Sequence, residues 1–431
     1  MTRSRPDRFL TCVLPLLLLL RVPVSAAAQG YSRLFVLGDS LSDDGNLYKS
    51  VFGLYPQSPP YYKGRFSNGP VWVEDLAPKL GLPFDPATDY AYGGAETGNN
   101  NDSPGLPGMK QQIASLLKTY PMGDPAALYV VWGGANDYIS GGTDTTKPVA
   151  NIIGYVQSLA ASGGRNFAVP NLPDLGLTPG YRKTASAPGL TQRTLAHNAN
   201  LAAALQTLRT QLPTCNIVLF DVYTEFNRIL ATPAAYGFTN TTDQAMQAAG
   251  ANPDAYLFWD DVHPTAAAHR LIAADAYALL FPSVSGTITL EGLSATAAPQ
   301  PVTLEFRPAD ATTSFRRSVS VNAGGAFTAP HIPAKRYTLW LKGAMWLAET
   351  TTFDAASGPV SDVNIALPAG DANNDNSVDS TDFGLLIGTF NTSASVPGSG
   401  YDASTDFNLD GSVDSTDFGL LIGNFGFVGA N

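Results

Sequence analysis

Residues 34–46 read Leu-Phe-Val-Leu-Gly-Asp-Ser-Leu-Ser-Asp-Asp-Gly-Asn, a short apolar run followed at once by a glycine and a serine. An apolar run of this length that ends in a turn signal is typical of a buried strand. The small Gly38 lets the chain turn sharply there, so the hydroxyl of Ser40 is presented at the edge of a sheet. A serine so placed is more often structural than catalytic, because its hydroxyl needs an adjacent base to become a nucleophile.

Apolar runs alternate with helical patterns between residues 33 and 281. The runs that predict strands are residues 34–37, 128–132, 167–169 and 217–220. Among the patterns that predict helices are residues 71–80, 109–120, 190–212 and 265–280. Strands alternating with helices indicate an α/β domain with a parallel sheet and helices on both faces. In such sheets, functional sites form where the strands end.

A histidine suited to be the base lies in the segment 259–264, Trp-Asp-Asp-Val-His-Pro. Asp260 precedes His263 by three residues and can fold back within one turn to accept the imidazole Nδ1–H. That hydrogen bond would fix the tautomer and stabilise the imidazolium. Asp261 is the alternative, but its spacing directs it elsewhere. The other two histidines before residue 283 lie in Ala/Leu-rich helical patterns, where packing or capping roles are expected.

Two glycine-rich strand ends can supply hydrogen-bond donors to an anionic oxygen. The segment 92–97, Tyr-Gly-Gly-Ala-Glu-Thr, offers the backbone N–H of Gly94, which has no Cβ to obstruct a carbonyl. The segment 132–137, Trp-Gly-Gly-Ala-Asn-Asp, offers the side-chain amide of Asn136. Either segment alone would pass for an ordinary loop.

Together, in chain order, these motifs resemble the four sequence blocks of the GDSL, or SGNH, hydrolases. The matching residues are Gly38-Asp-Ser-Leu41, Gly94, Asn136 and Asp260-x-x-His263. The resemblance covers residues 31–281. Gly94 is preferred to Gly93 because the Ala-Glu-Thr that follows it fits the family's second block.

The resemblance implies a flavodoxin-like sheet and a serine esterase or lipase. It implies a triad of Ser40, His263 and Asp260, an acyl-enzyme, and no cofactor for catalysis. It also implies an oxyanion hole formed by the Ser40 and Gly94 N–H groups and the Asn136 amide. Lipid esters, phospholipids, aryl esters and acylated carbohydrates all suit the family, and residues 55–62 are candidates to line the acyl pocket.

Two other kinds of function stay open. The first is an acyltransferase with the same triad, which would differ in how well water is kept from the acyl-enzyme. The second is a non-catalytic surface or glycan-binding protein on a hydrolase scaffold, which the intact set of catalytic residues disfavours. The net charge of -11 disfavours nucleic acid as a partner in either case.

The first 28 residues are typical of a signal peptide. Three arginines precede an apolar run over residues 9–20, and Ala26-Ala-Ala28 offers a cleavage site. A membrane anchor would need about 20 apolar residues, and Arg21 and Pro23 interrupt this run. The chain is therefore predicted to have no membrane span, and to be extracellular or associated with a cell surface.

The pattern changes after residue 283. Residues 302–306, 337–341 and 363–367 alternate apolar with mostly polar residues, which predicts a small antiparallel β-sandwich. Trp340 and Trp346 are expected to pack in its core or rim rather than to bind a sugar. The predicted domains are residues 1–28, 29–283, 284–368 and 369–431.

The last segment is an internal repeat rich in aspartate. Residues 371–388 return as residues 406–423, and residues 370–431 contain nine Asp but no Lys, Arg, Glu or His. A compact module with that self-repulsion is hard to stabilise without cations. Each repeat places oxygen ligands at positions 1, 3, 5, 9 and 12 of a twelve-residue loop and a backbone carbonyl at position 7, which suits Ca²⁺. The candidate ligands are Asp371, Asn373, Asp375, Ser377, Asp379 and Asp382, then Asp406, Asn408, Asp410, Ser412, Asp414 and Asp417.

Two such loops, each followed by a helix, resemble a type I dockerin over residues 370–426. The resemblance implies two structural Ca²⁺ sites and a cohesin-like partner, contacted through Ser380-Thr381 and Ser415-Thr416. Neither helix carries the Lys or Arg that dockerins often use there, so a Ca²⁺-stabilised cap is the alternative. Position 6 of each loop requires a positive φ, which Gly411 provides and Asn376 tolerates.

Overall fold

The computed structural model describes residues 30–356 and 358–431. The predicted signal peptide, residues 1–28, lies outside the described residues. In the part of the chain that is described, no helix is both long enough and apolar enough to cross a bilayer.

A parallel sheet forms the centre of the N-terminal region. Its strands, in the order β1-β2-β3-β4, are β1 (Leu34–Gly38), β2 (Leu128–Trp132), β3 (Asn166–Pro170) and β4 (Asn216–Phe220). The N–H groups of Tyr90 and Tyr92 donate to the carbonyls of Val36 and Gly38, so residues 89–92 add an edge strand beside β1. Counted along the chain, the order becomes 2-1-3-4-5, which is the flavodoxin-like order. The predicted α/β fold is confirmed.

Helices cover both faces of this sheet. They are α1 (Asn46–Ser50), α2 (Trp72–Lys79), α3 (Met109–Thr119), α4 (Ala135–Ile139), α5 (Lys147–Ser162), α6 (Ala187–Gln211), α7 (Val222–Ala231) and α8 (Ala266–Leu280). Val36, Val130 and Val218 pack on α2 and α8, whereas their neighbours Phe35 and Tyr129 pack on α3, α5 and α6. The strand side chains thus alternate between two buried faces, which explains why the strands read as continuous apolar runs.

A two-stranded parallel sheet leads into the site. It consists of β5 (Asn240–Gln244) and β6 (Tyr256–Phe258). The loop from β6 to α8 carries Asp260 and His263. Thr265 caps α8 by accepting the N–H of Ala268, which fixes where this loop ends.

Residues 284–367 form a β-sandwich. Its strands are β7 (Val284–Leu290), β8 (Gln300–Pro308), β9 (Phe315–Val321), β10 (Ala326–Ala329), β11 (Arg336–Gly343), β12 (Trp346–Asp354) and β13 (Val360–Leu367). One sheet has the order β10-β7-β13 and the other β12-β11-β8-β9. The prediction of a purely antiparallel sandwich is wrong in one pair, because the last strand, β13, runs parallel to the first, β7. Trp346 is buried in the core, and Trp340 is half-buried between Arg307 and Arg316.

The C-terminal repeat packs on the sandwich. It consists of α9 (Ser380–Thr389), β14 (Thr392–Ser393), β15 (Ser412–Val413) and α10 (Ser415–Gly423). Leu386 of α9 and Leu421 of α10 lie in the same hydrophobic cluster as Trp346 of the sandwich. Asn424 also donates to Glu291 and to the carbonyl of Ala369. Residues 284–368 and 369–431 therefore share one core.

Candidate active site

The turn after β1 is built for close approach. A Cβ on Gly38 would lie 2.8 Å from the carbonyl oxygen of Trp132 on the neighbouring strand, so only glycine fits there. The Gln112 side chain donates to the carbonyl of Gly38 and accepts its N–H, which fixes the strand end. Beyond it, the Asp39 carbonyl accepts the N–H groups of Ser42 and Asp43, and the chain turns around Ser40.

A continuous hydrogen-bonded chain joins the three residues predicted to form the triad. His263 Nε2 lies 2.8 Å from Ser40 Oγ, and His263 Nδ1 lies 2.7 Å from Asp260 Oδ2. Asp260 Oδ1 also accepts the backbone N–H groups of Val262 and His263, at 2.9 and 2.8 Å. The turn therefore holds the Asp260 carboxylate against Nδ1 of the imidazole. Nδ1 faces a carboxylate, so Nε2 is the nitrogen that can take a proton from the serine.

The Asp260 carboxylate has a further partner that the sequence does not indicate. The hydroxyl of Tyr61 donates to Asp260 Oδ2 at 2.6 Å, across 199 residues of chain. The Tyr61 ring packs edge-on against Phe66 and Trp259, which places its hydroxyl at the carboxylate. The sequence makes residues 55–62 candidates to line the acyl pocket. Of these, Tyr55 does line the cavity, whereas Tyr61 supports the carboxylate.

Burial and charge shift the pKa values of Asp260 and His263 in opposite directions. Burial alone would raise the pKa of Asp260, but the charge of His263 and hydrogen bonds from His263 and Tyr61 outweigh it and lower the pKa to about 2. Burial alone would lower the pKa of His263, but the charge of Asp260 and its hydrogen bond raise the pKa above its usual value. Asp260 is therefore ionised at neutral pH, and it makes His263 a stronger base.

The candidate oxyanion donors line the same cavity as Ser40. They are the Gly94 N–H, with φ +74°, and the Asn136 amide. The Gly93 N–H is engaged by Asp43 Oδ2 at 2.8 Å, whereas within residues 30–356 and 358–431 the Gly94 N–H donates to no protein acceptor. Asn136 Nδ2 donates to the carbonyl of Ala95 at 3.0 Å, which fixes the amide and leaves its second N–H available.

Asp43 is a second residue whose role the sequence did not reveal. Its carboxylate is fully buried and accepts the N–H groups of Gly45, Asn46, Leu47 and Gly93. It thereby ties the loop after Ser40 to the Gly93-Gly94 strand end. Burial raises its pKa to about 6, although the four backbone donors lower it.

The remaining candidates do not join the serine. The Asp261 side chain accepts from the Gln244 amide, so it points away from His263, as predicted. His197 is buried and hydrogen-bonded to the Tyr138 hydroxyl, and burial lowers its pKa to about 4. His269 is buried and accepts the backbone N–H of Trp72, and burial lowers its pKa to about 3.

A cavity of about 540 Å³ opens onto Ser40 and His263. One part extends between β4, β6, α7 and α8. The apolar side chains that line that part are Phe220, Val222, Phe226, Ile229, Leu257, Phe258, Ala268 and Ile272. Most of its wall is hydrophobic, which is typical of a pocket for an apolar group held next to a few polar ones.

The two C-terminal loops have matching internal contacts. In the first, Asp371 accepts the N–H groups of Asp375 and Asn376. In the second, Asp406 accepts those of Asp410 and Gly411. As predicted, both residues at position 6 take positive φ, +71° for Asn376 and +94° for Gly411. Val378 and Val413 are both buried in the shared core. The Val378 N–H donates to the carbonyl of Phe427, and the Val413 carbonyl accepts the N–H of Asn391.

The chemistry of these loops fits a divalent cation. The carboxylates at positions 1 and 12 of both loops are fully buried: Asp371, Asp382, Asp406 and Asp417. Of these, only Asp371 has an ion pair within the described residues, with Lys342 at 2.8 Å. Buried carboxylates need a cation partner, and carboxylate, amide and carbonyl oxygens are the ligands that Ca²⁺ prefers. Among the residues that the structure describes, no three His, Cys, Asp or Glu side chains are arranged as a preformed metal site.

Comparison with known families matches both ends of the described chain. Residues 34–276 match the GDSL-like lipase/acylhydrolase family, and residues 369–425 match the dockerin type I domain. The first match spans more than half of the chain.

The chain is similar to two bacterial proteins and to one solved structure. A phosphatidylcholine-sterol acyltransferase from Aeromonas hydrophila is 27% identical over 327 residues, covering 62% of this chain and 96% of that protein. A thermolabile hemolysin from Vibrio parahaemolyticus is 27% identical over 266 residues, covering 56% of this chain and 62% of that protein. Among solved structures, a carbohydrate acetylesterase family member from Sinorhizobium meliloti is 17% identical and covers 56% of this chain and 94% of that one, with a TM-score of 0.32.

Proposed function

The chain belongs to the GDSL-like lipase/acylhydrolase family and is a carboxylic ester hydrolase with a dockerin type I domain, and on that premise we propose that Ser40 is its nucleophile. The observation that carries the proposal is the hydrogen-bonded chain from Ser40 Oγ through His263 to Asp260. A serine hydroxyl is a weak nucleophile unless such a base removes its proton. The chain of three groups opens onto the large cavity, where an ester can reach it.

The first half of the reaction forms an acyl-enzyme. Ser40 Oγ attacks the ester carbonyl carbon while His263 Nε2 takes the hydroxyl proton, and Asp260 stabilises the resulting imidazolium. The carbonyl oxygen becomes an oxyanion that accepts hydrogen bonds from the N–H groups of Ser40 and Gly94 and from Asn136 Nδ2. When the tetrahedral intermediate collapses, His263 gives its proton to the leaving alcohol.

The second half releases the acid. A water molecule gives a proton to His263 and attacks the acyl carbonyl of Ser40, and the same donors stabilise the second oxyanion. Collapse returns the proton to Ser40 Oγ and frees the carboxylic acid. Each step uses only groups of the chain and water.

The walls of the cavity favour an apolar acyl group. Its part between α7 and α8 is lined mostly by apolar side chains such as Phe226, Ile229 and Ile272, with Glu225 and Asp275 as the acidic residues there. Burying hydrocarbon against the apolar side chains is favourable by about 25 cal/mol per Å². An acetyl group would leave most of a 540 Å³ cavity unfilled. We therefore place the preferred substrate among esters of longer acyl chains.

The test is hydrolysis of p-nitrophenyl esters from acetate to palmitate, with the Ser40→Ala protein as control. We expect Ser40-dependent turnover that is higher for intermediate or long chains than for acetate. Equal turnover by the wild-type and Ser40→Ala proteins would contradict the assignment of the nucleophile. A maximum at acetate would contradict the assignment of the acyl pocket.

Acyl transfer is the second candidate. It is favoured by the similarity to the protein named phosphatidylcholine-sterol acyltransferase, which covers 96% of that protein. The acyl-enzyme would then be attacked by an alcohol instead of water. Incubation of a long-chain p-nitrophenyl ester with a sterol distinguishes the two: a sterol ester as the main product supports transfer, and free fatty acid supports hydrolysis.

Dockerin type I domains bind calcium, and we propose one Ca²⁺ site in each loop of this one. The first would be held by Asp371, Asn373, Asp375, Asp379 and Asp382 with the carbonyl of Ser377. The second would be held by Asp406, Asn408, Asp410, Asp414 and Asp417 with the carbonyl of Ser412. The ion would neutralise the buried carboxylates. Titration calorimetry should then give two Ca²⁺ per chain, reduced to one by Asp417→Ala.

Dockerin domains bind cohesins, and the Ser-Thr pairs expected to contact a cohesin are exposed on this chain. Ser380, Thr381, Ser415 and Thr416 are exposed at the starts of α9 and α10, and Phe383 and Phe418 are exposed beside them. We propose that this face docks to a cohesin outside the cell, after removal of residues 1–28. Calcium-dependent retention on immobilised cohesin, lost in a Thr381→Asp, Thr416→Asp protein, is the expected result; retention that persists in that protein would contradict this use of the face.

A further inference from the structure

Large apolar side chains point into solvent beside the mouth of the catalytic cavity. Residues 51–55, Val-Phe-Gly-Leu-Tyr, follow α1 and are here called the rim loop. Phe52 is 92% exposed, Leu54 79% and Tyr55 53%. Three such side chains within four positions form an exposed apolar patch, and such patches usually mark a place of contact.

The backbone holds the most exposed of these rings outward. The Gly53 N–H donates to the carbonyl of Tyr48, and the Phe52 N–H donates to that of Lys49. These two bonds form the Schellman motif that ends α1, in which the residue at the Phe52 position takes a left-handed conformation. Glycine normally fills that position, whereas here φ is +57° on a phenylalanine. An aromatic ring kept at a strained position points to a functional reason.

The rim loop is continuous with the catalytic residues. Tyr55 lines the cavity, and its ring packs edge-on against Phe66 with 5.6 Å between centroids. The ring centroids of Phe66 and His263 are in turn 5.0 Å apart. Packed rings therefore lead to the base from Tyr55, the residue that directly follows the exposed Leu54.

The charge around the rim loop is unlike that of the whole chain. The net charge is -11, yet residues 45–73 contain Lys49, Lys63 and Arg65 and no Asp or Glu. Lys49 and Arg65 pair with Asp44 and Glu74, so Lys63 is the one cation of this segment without an ion pair among the described residues. Exposed aromatic and leucine side chains close to an exposed lysine are typical of segments that lie in a membrane interface.

We propose that the rim loop inserts Phe52 and Leu54 into the surface of an aggregated phospholipid phase and places the cavity mouth against it. An acyl chain can then pass from the lipid past Tyr55 to Ser40 without crossing water. This inference rests on the proposed function, because it identifies the substrate of the same site as an ester within a lipid surface.

Binding is tested without turnover. The full-length Ser40→Ala protein is mixed with phosphatidylcholine vesicles, and the bound fraction is measured by flotation. We expect it to bind, and we expect Phe52→Gly with Leu54→Ser on the same background to weaken vesicle binding by roughly tenfold or more, from the lost insertion of two apolar side chains. Phe52→Gly is compatible with the positive φ, so the end of α1 is retained.

Met122→Ser is the matched control. Met122 is 84% exposed and lies in the loop before β2, at the amino-terminal ends of the strands, whereas the site lies at their carboxyl ends. Its replacement should change vesicle binding by less than about twofold. All three proteins keep the exposed apolar residues of α9 and α10, so any binding through that face cancels from the comparison.

Activity separates the two levels of the proposal. With Ser40 present, the rim-loop variant should hydrolyse dissolved p-nitrophenyl acetate within about twofold of wild type, and it should lose activity on p-nitrophenyl palmitate dispersed in vesicles. Vesicle binding that is equal with and without Phe52 and Leu54, or absent in both, would overturn the interfacial role. If the wild-type protein showed no acetate hydrolysis that depends on Ser40, the proposed function would be contradicted. The flotation result would still decide the interfacial role.

Discussion

Replacing Asn136 by alanine should separate two roles of one side-chain amide. One N–H of Nδ2 donates to the carbonyl of Ala95 at 3.0 Å, and the amide lines the cavity beside Ser40. The substitution removes a donor from the oxyanion, which should lower kcat by roughly 10²- to 10³-fold with little change in KM. It also leaves a buried carbonyl unpaired, which should lower the free energy of unfolding by about 1–3 kcal/mol.

The assay measures both quantities on the same protein. Steady-state hydrolysis of a soluble p-nitrophenyl ester gives kcat and KM, and urea unfolding gives the free energy. Gln112→Ala is a useful comparison, because Gln112 is buried and bonds the backbone of Gly38 but does not line the cavity. It should lose comparable stability with a much smaller loss of kcat. If Asn136→Ala kept kcat within about threefold of wild type, its assignment as an oxyanion donor would be refuted.

Three other expectations follow from the same structure. His263 must be neutral to accept the Ser40 proton and Asp260 raises its pKa, so kcat/KM should rise with pH through a midpoint above 6.5; a lower midpoint would contradict the pairing. Tyr61→Phe removes a donor from Asp260 Oδ2, so the carboxylate should raise the pKa of His263 further and move that midpoint to higher pH; an unchanged profile would show that the tyrosine only packs. Chelating calcium should expose residues 369–431 to proteolysis and, through the shared core, loosen the sandwich at 284–368, with ester hydrolysis retained; loss of hydrolysis would show that the metal-binding module supports the catalytic region.

The parts of the site that the sequence predicted are local in the chain. Asp260 and His263 are three residues apart, so one turn decides their contact, and Ser40 directly follows the strand that presents it. The strand at 128–132 has the predicted bounds because its side chains are buried on both faces of the sheet and read as one apolar run. Helices α1, α4, α5 and α7 are not among the predicted ones, although Asp221 caps the N-terminus of α7 in a recognisable way.

The parts that the sequence did not predict depend on distant contacts. Tyr61 reaches Asp260 from 199 residues away, and Asp43 reaches Gly93 from 50 residues away. No periodicity or spacing indicates such pairs, because they form only when the sheet and its loops are assembled. The sharing of one core by the sandwich and the C-terminal repeat is likewise invisible in either segment alone, since each has its own apolar pattern.

The central claim is that Ser40 is activated by His263. The most direct measurement is the mass of the intact protein after incubation with a fluorophosphonate, followed by identification of the modified peptide. The account predicts one adduct per chain on the peptide that contains Ser40, formed at a rate that falls by at least a hundredfold in the His263→Ala protein. An adduct on another serine, or labelling of Ser40 at the same rate without His263, would contradict it.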